Sequence, residues 1–201
     1  MGGNDLLKGL KVLENSLLGP GLVGTFLSDL GAEVIKVESP SGDYIRQMTW
    51  PIIQGDSLLH LHTHRGKRSV AINLKDEDGA KIYRNLLEKT DVVVEAMRPG
   101  TLERLGFGFD ELVKINPKIV FCTISGYGAT GPYRDLPSHG IAYDTWAGLI
   151  EPVVDEDGFK RIPSMPNIGI NVGPMLAALG ILAAVINARE TGQGKQIEVA
   201  Q

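Results

Sequence analysis

A single cysteine, Cys122, stands in this chain of 201 residues, so an internal disulfide is excluded. In the apolar run KIVFCTIS the thiol reads as a small buried hydrophobe in a reducing cytoplasm. No His or Asn is arranged around it as a catalytic partner. Excess positive charge is missing too: 20 Lys and Arg against 24 Asp and Glu leave a formal net charge of −4. No broad basic field is present to gather nucleic acid, although a local patch still suits a small polyanion. The N-terminus carries no long apolar stretch, so no secretory signal is expected there. The longest apolar run, Pro174 to Ile186, is too short for a membrane span and reads as a buried helix that stops at Thr191-Gly192-Gln193-Gly194.

What is present is an alternation of strand and helix. Gly9 to Glu14, Ala32 to Glu38, Arg68 to Leu74, Asp91 to Met97 and Lys118 to Ser125 read as strands. Pro20 to Leu30, Lys75 to Lys89 and Phe109 to Ile115 read as helices. This alternation predicts an α/β fold, a Rossmann-like parallel sheet with helices on both faces. The strands are nearly continuous in apolar residues, as expected where both faces are covered. After Ser125 comes the glycine-rich Gly126-Tyr127-Gly128-Ala129-Thr130-Gly131-Pro132, and 133–170 reads as a long surface excursion of the kind that carries function. Gln196 to Gln201 reads as a strand that stops without a turn, as if the chain continued.

Several groups invite a chemical reading. Gly19-Pro20-Gly21-Leu22-Val23-Gly24 matches G-x-G-x-x-G, and Glu38 lies 19 residues beyond Gly19, the spacing of a dinucleotide fingerprint. Against it, Asn15-Ser16-Leu17-Leu18 separates the strand from the first glycine, so a nicotinamide oxidoreductase ranks last and close packing of a helix on the sheet ranks first. His64-Arg65-Gly66-Lys67-Arg68-Ser69 sets three cations just before a strand, either a solvated charge run or a phosphate site. His60, His62 and His64 alternate, and on a strand they would share a face. No Cys or carboxylate completes a ligand set at a recognisable spacing, so no metal is assigned. Asp155, Glu156 and Asp157 read as a solvated hairpin tip before Gly158.

Five segments, in order, resemble the class III coenzyme A transferases of the CaiB/BaiF type. They are Gly31 to Glu38 with Gly42-Asp43; Arg65 to Ser69; Asp91 to Glu95 with Arg98-Pro99-Gly100 and Arg104-Leu105-Gly106; Asn116-Pro117 with Ser125 to Gly128 and Gly131-Pro132; and Gly180 to Ala184 leading to Thr191 to Gly194. The resemblance implies that residues 1–201 form the large N-terminal CoA-binding domain of a fold whose smaller second domain and return segment lie outside this sequence. It implies an interlocked homodimer that handles acyl-CoA and small carboxylic acids; a cytoplasmic protein without metal, nucleic acid or membrane partner is expected from the thiol, the charge and the apolar runs above. Carried over by position, Lys67 and Arg68 would meet CoA phosphates, Arg104 would lie near the nucleotide, Ala96 and Met97 would line the pantetheine path, and Val37, Glu38 and Ser39 would flank the adenine.

The same resemblance implies an aspartate nucleophile that attacks the thioester and passes CoA to an acceptor acid. The matching stretch, Pro166 to Gly173, holds no Asp or Glu. Ile170 occupies the place of the aspartate, with Asn171 beside it as the nearest polar candidate. Ser138 to Tyr143 resembles the histidine segment of the α-methylacyl-CoA racemases, which makes His139 a candidate for α-proton chemistry. Asp144 beside it reads as structural. CoA transfer, racemisation led by His139, and a CoA-binding half without catalysis are the readings carried forward.

Overall fold

The computed structural model describes residues 5–163 and 168–201. In chain order its elements are β1 (Lys11–Asn15), α1 (Leu22–Asp29), β2 (Glu33–Glu38), β3 (Ile52–Ile53), β4 (Asp56–Ser57), α2 (Leu58–His64), β5 (Arg68–Ala71), α3 (Glu77–Leu87), β6 (Val92–Glu95), α4 (Thr101–Arg104), α5 (Phe109–Ile115), β7 (Val120–Ser125), α6 (Gly140–Trp146), β8 (Val153–Val154), β9 (Lys160–Arg161), α7 (Gly169–Thr191) and β10 (Lys195–Ala200).

Six strands form one parallel sheet in the order β10-β7-β6-β1-β2-β5. The chain builds outward from β1 through β2 to β5, returns to the other side of β1 with β6, and continues through β7 to β10. Strand order therefore reverses between β1 and β6. The crevice beyond the carboxyl ends of those two strands is where an open α/β sheet takes its ligand. The expected Rossmann-like sheet with helices on both faces is the one observed.

The period of two along each strand sorts the core into two layers. Val12, Val34, Val92, Val94, Cys122 and Ile124 meet α1 and α7 on one face. Leu13, Val93 and Phe121 meet Tyr83 and Leu87 of α3, Leu102 of α4 and Leu112 of α5 on the other. Cys122 is fully buried in the first layer, and burial pushes its thiol up to about 12, which leaves it unreactive near neutral pH.

Three elements differ from expectation. The histidine triplet lies on a helix, α2, which begins where the Ser57 hydroxyl accepts a hydrogen bond from the His60 amide at 3.1 Å. With a helical period, His60 and His64 share a buried face, ring centroids 4.9 Å apart, while His62 turns to solvent. The excursion over 133–170 contains α6 and the hairpin of β8 and β9. Finally, α7 runs 23 residues, well beyond the apolar run, and its length and hydropathy alone would suit a membrane span. Its Ala177, Ala178, Ile181, Ala184, Val185 and Ala188 are nevertheless buried in the sheet core. It ends at Gly192 in the left-handed conformation (φ 75°), the stop that the Thr-Gly-Gln-Gly sequence predicts.

Candidate functional site

Beyond the carboxyl ends of β1, β6 and β7 lies a hollow of about 220 Å³. Residues 17–20 after β1, 96–99 after β6 and 124–127 around the end of β7 form three of its sides. Arg134, Ser138, His139 and Tyr143 of the excursion, Ile170 of α7 and Gln201 after β10 close it.

The segment after β1 is held under strain. Leu18 has φ 56° with ψ −139°, a sparsely populated combination that costs a non-glycine residue about 1–3 kcal/mol. It is pinned from its N-terminal side, where Asn15 Nδ2 donates to the Tyr83 hydroxyl at 2.7 Å and Lys36 Nζ donates to the Ser16 carbonyl at 2.6 Å. On its other side Gly19 touches α7 so closely that a Cβ there would stand 1.9 Å from Ile170 Cγ1. The turn after β6 is shaped by Glu95, buried, which accepts the Leu102 amide at 2.8 Å; burial raises its carboxyl above the usual range despite that bond.

The chemistry of the lining is one-sided. It offers Arg98, Arg134 and His139 with the hydroxyls of Ser125, Ser138, Tyr44, Tyr127 and Tyr143, and among the described residues lining it none is Asp or Glu. A larger hollow, about 850 Å³, adjoins it at Pro99 and Arg134 and is lined by Glu95, Glu103, Asp110, Glu111 and Glu198, with Arg134 its one cation among the described residues. Its acidic wall repels a polyanion, so the smaller hollow is the candidate site despite its size.

Of the residues singled out in the sequence, Ala96, Met97, His139 and Ile170 come together in this hollow. His139 is exposed at the N-terminal boundary of α6. Arg104 sits on the rim: its guanidinium donates to Thr101 Oγ1 at 2.9 Å, next to the Pro99–Gly100 turn. Asn171 is exposed one residue past Ile170 and does not line the hollow. Pro166 and Asn167 of the aspartate-matching stretch lie outside the described residues.

The other nucleotide assignments are corrected by geometry. Lys67 turns inward: its side chain is 1% exposed and its ammonium is spent on Glu14 (2.7 Å), the Gly21 carbonyl and His64 Nδ1 (3.0 Å). Arg68 points outward from the edge strand, paired with Glu33 at 3.2 Å, and does not reach the hollow. Glu38 is buried and structural, taking Arg46 at 2.7 Å, Ser69 at 2.6 Å and the Asp43 amide at 2.9 Å. Burial would raise its carboxyl, but the hydrogen bonds from Arg46 and Ser69 outweigh that and hold it below the usual range. The Ser39 hydroxyl is exposed and bonds to Ser41 at 2.7 Å.

The glycine pattern also resolves as packing. A Cβ on Gly21 would meet His64 at 2.3 Å, and one on Gly24 would meet Glu14 Oε2 at 1.9 Å. These glycines leave room for buried charges, which removes the basis of the nicotinamide reading. The charges form a chain: Glu14, Lys67, His64, Lys36 and Asp43, with Lys36 Nζ 2.6 Å from Asp43 Oδ2 and 3.3 Å from His64 Nε2. Two ammoniums and two carboxylates balance when His64 is neutral. Burial, foremost, and both lysine charges hold its imidazole below the usual range although Asp43 favours the cation. For Asp43, burial is outweighed by His64 and Lys36, and the carboxyl stays well below the usual range.

Asp43, His60 and His64 do bring ligand atoms within 4.8 Å of one another, so a carboxylate remote in sequence completes the histidine pair. The Lys36 ammonium already lies against two of the three and takes the place of a metal cation. Asp144 is structural as expected: buried, it accepts the amides of Ile168 (2.9 Å) and Gly169 (2.8 Å) at the start of α7.

Sequence reasoning missed Arg134, Gln201 and Leu18, and gave Arg98 and Ser125 no role of their own although both lie in the segments quoted above. The signal for Arg98 was present in the Arg-Pro-Gly turn that ends β6; that for Gln201 was not, because its place depends on β10 lying beside β7.

The comparisons with known proteins agree with this arrangement. The model of CoA-transferase family III matches residues 7–201. The chain is 35% identical over 196 residues to the succinyl-CoA–L-malate CoA-transferase beta subunit of Chloroflexus aurantiacus, covering 96% of this chain and 48% of that protein. It is 36% identical over 194 residues to the human succinyl-CoA:glutarate CoA-transferase, covering 96% and 44%. Among solved structures, Rv3272 of Mycobacterium tuberculosis superposes with a TM-score of 0.87 at 33% identity, covering 96% of this chain and 54% of that one. A CAIB/BAIF family protein of Brucella suis gives 0.86 at 33%, covering 96% and 52%. The chain thus spans about half the length of the curated relatives it matches. On this match, and on the shared fold, the chain belongs to CoA-transferase family III.

Proposed function

We propose that this chain holds a CoA thioester in the crevice between β1 and β6, and serves a protein that transfers CoA between carboxylic acids. The observation that carries the reading is the lining of the hollow: cations and hydroxyls with no carboxylate, at the switch point of the sheet. Ala96 and Met97 line the pantetheine path, and Arg98 and Arg104 face the phosphates at the rim, where a guanidinium gives forked hydrogen bonds. The relatives named above, which act on succinyl-CoA with malate or glutarate, support small carboxylic acids as partners.

Ile170 sets the limit of the chemistry. An isoleucine forms no anhydride, so within this reading the nucleophilic carboxylate comes from outside the hollow described here. His139, which lines the same hollow, favours a second reading, α-proton exchange on the acyl group. We also assign the protein to the cytoplasm, which the lone buried thiol supports, and to a homodimer. The apolar stripe that α7 turns outward, Val172, Met175, Leu176, Leu179 and Ile186, supports the dimer. Sedimentation across a range of concentrations tests that assignment: a monomer throughout would remove it.

One experiment separates the chemical readings. The protein is incubated in D₂O with acyl-CoAs and free carboxylic acids, and the CoA esters are read by mass spectrometry. A new acyl-CoA is the expected result. Deuterium uptake without a new ester would favour the α-proton reading. Binding of CoA with neither change would leave a non-catalytic CoA-binding half.

A further inference from the structure

The hollow holds more hydrogen-bond donors than the protein satisfies. Ser125 Oγ, Gln201 Nε2 and Arg134 Nε are all buried atoms without a hydrogen-bond partner among the described residues, and all three residues line it. The nearest acceptor recorded for Arg134 Nε is Asp135 Oδ1 at 3.5 Å, beyond a normal hydrogen bond and on an exposed side chain. Ser125 and Gln201 are neighbours across the strand ends, where the Gln201 amide donates to the Ser125 carbonyl at 2.9 Å. The Gln201 stem runs beside α7, close enough that a Cβ on Gly173 would stand 2.9 Å from its Cγ. The glycine there leaves the amide room.

A buried donor left unmade is costly, and three in one hollow point to an acceptor that arrives with the ligand. Their charge says which. Two neutral donors and one guanidinium match a single negative charge, and a guanidinium takes a carboxylate with two parallel bonds. Ile124, Leu18, Ile170 and Tyr143 surround them with apolar surface, which suits the short carbon chain of an acyl group. A phosphate, with its greater charge, is better served at the rim by Arg98 and Arg104.

We propose that Ser125, Gln201 and Arg134 form a carboxylate-holding subsite, which selects acyl groups that carry a second carboxylate at the end remote from the thioester. This rests on the CoA-thioester reading given above. The subsite acts through binding and needs no nucleophile from Ile170.

The test compares two esters of equal chain length, succinyl-CoA and butyryl-CoA, by titration calorimetry on the whole chain. Wild type is expected to bind succinyl-CoA at least about tenfold more tightly, the size of one charge-assisted hydrogen bond. Ser125→Ala and Gln201→Leu should each lower succinyl-CoA affinity more than butyryl-CoA affinity and so shrink that preference. Gln201→Glu, which keeps the shape but replaces a neutral donor with a negative charge, should abolish it; thermal melts of each variant show that the fold persists. Equal binding of the two esters by wild type, or equal losses for both in the variants, would overturn the subsite while the CoA reading stands. Failure of wild type to bind either ester would overturn both.

Discussion

An isoleucine in the crevice wall limits what that wall can do, because its side chain has no group that could attack a thioester. Ile170 lies against Gly19, at the N-terminal turn of α7, and the Pro174 that follows has no amide to meet the Ile170 carbonyl. Ile170→Asp would place a carboxylate in a hollow that otherwise holds none, beside the cations and donors that steady an anhydride. The expected outcome is a gain of CoA transfer over wild type, read as new acyl-CoA by mass spectrometry. No gain would place the nucleophile elsewhere than the start of α7. At Gly24 the argument is steric. A methyl there would press on Glu14 Oε2, and Gly24→Ala is expected to cost about 1–3 kcal/mol in urea denaturation, the usual range for overpacking. If Gly24 instead cradled a pyrophosphate, the substitution would lower ligand affinity and leave stability alone.

Elements were legible in proportion to how local their causes are. The strands that become β1, β2, β6 and β7 were readable because apolar runs between turn residues suffice, and α5 was readable over its whole length. The alternating histidines misled because Leu59, Leu61 and Thr63 between them mimic a strand, while the true signal, Ser57 as helix cap, was local and available. The beginning of α7 was not readable, because the group that fixes it, Asp144, lies 25 residues before Gly169. Likewise no spacing rule brings Asp43 to His64. The packing of α2 on the sheet has a consequence for pH. His64 and His60 are held neutral in the fold, chiefly by burial, with folded values below the unfolded value of about 6.5. The unfolded chain therefore binds protons first as pH falls, and stability that is complete above that value declines below it. Asp43 and Glu38, held low, add a second loss below about pH 4, where their unfolded carboxyls begin to protonate. Urea midpoints should fall between pH 7.5 and 5.5, and His64→Gln should flatten that slope from a lower starting stability. An unchanged slope would show that His64 binds its proton equally well in the folded and unfolded chain.

Across the whole molecule, charge is distributed against its average. The chain is acidic, and its larger hollow carries five of its carboxylates, yet the crevice between β1 and β6 is lined by Arg98 and Arg134, with Arg104 against the Pro99 carbonyl at its edge. A polyanion is thus repelled by one region and drawn to another, so local placement outweighs net charge. The sequence showed the basic cluster at Lys67 and Arg68 plainly, but in the fold one side chain is engaged by the buried Glu14 carboxylate and the other is paired with Glu33, so neither lines the crevice. The cations that face the crevice are separated in sequence and meet only through the turn after β6 and the excursion that follows β7. These two cation sets give opposite expectations. Arg98→Gln and Arg104→Gln should each weaken CoA binding about fivefold at low salt, and the deficit should shrink as ionic strength passes about 0.1 M, where exposed charges are screened. Arg68→Gln should leave the affinity unchanged, because its exposed pairing with Glu33 makes no contact with the crevice. Calorimetric titration with CoA at two salt concentrations reads all three variants. A loss confined to Arg68→Gln would move the phosphates to the edge strand, away from the switch point, and the pantetheine path along Ala96 and Met97 would fall with that result.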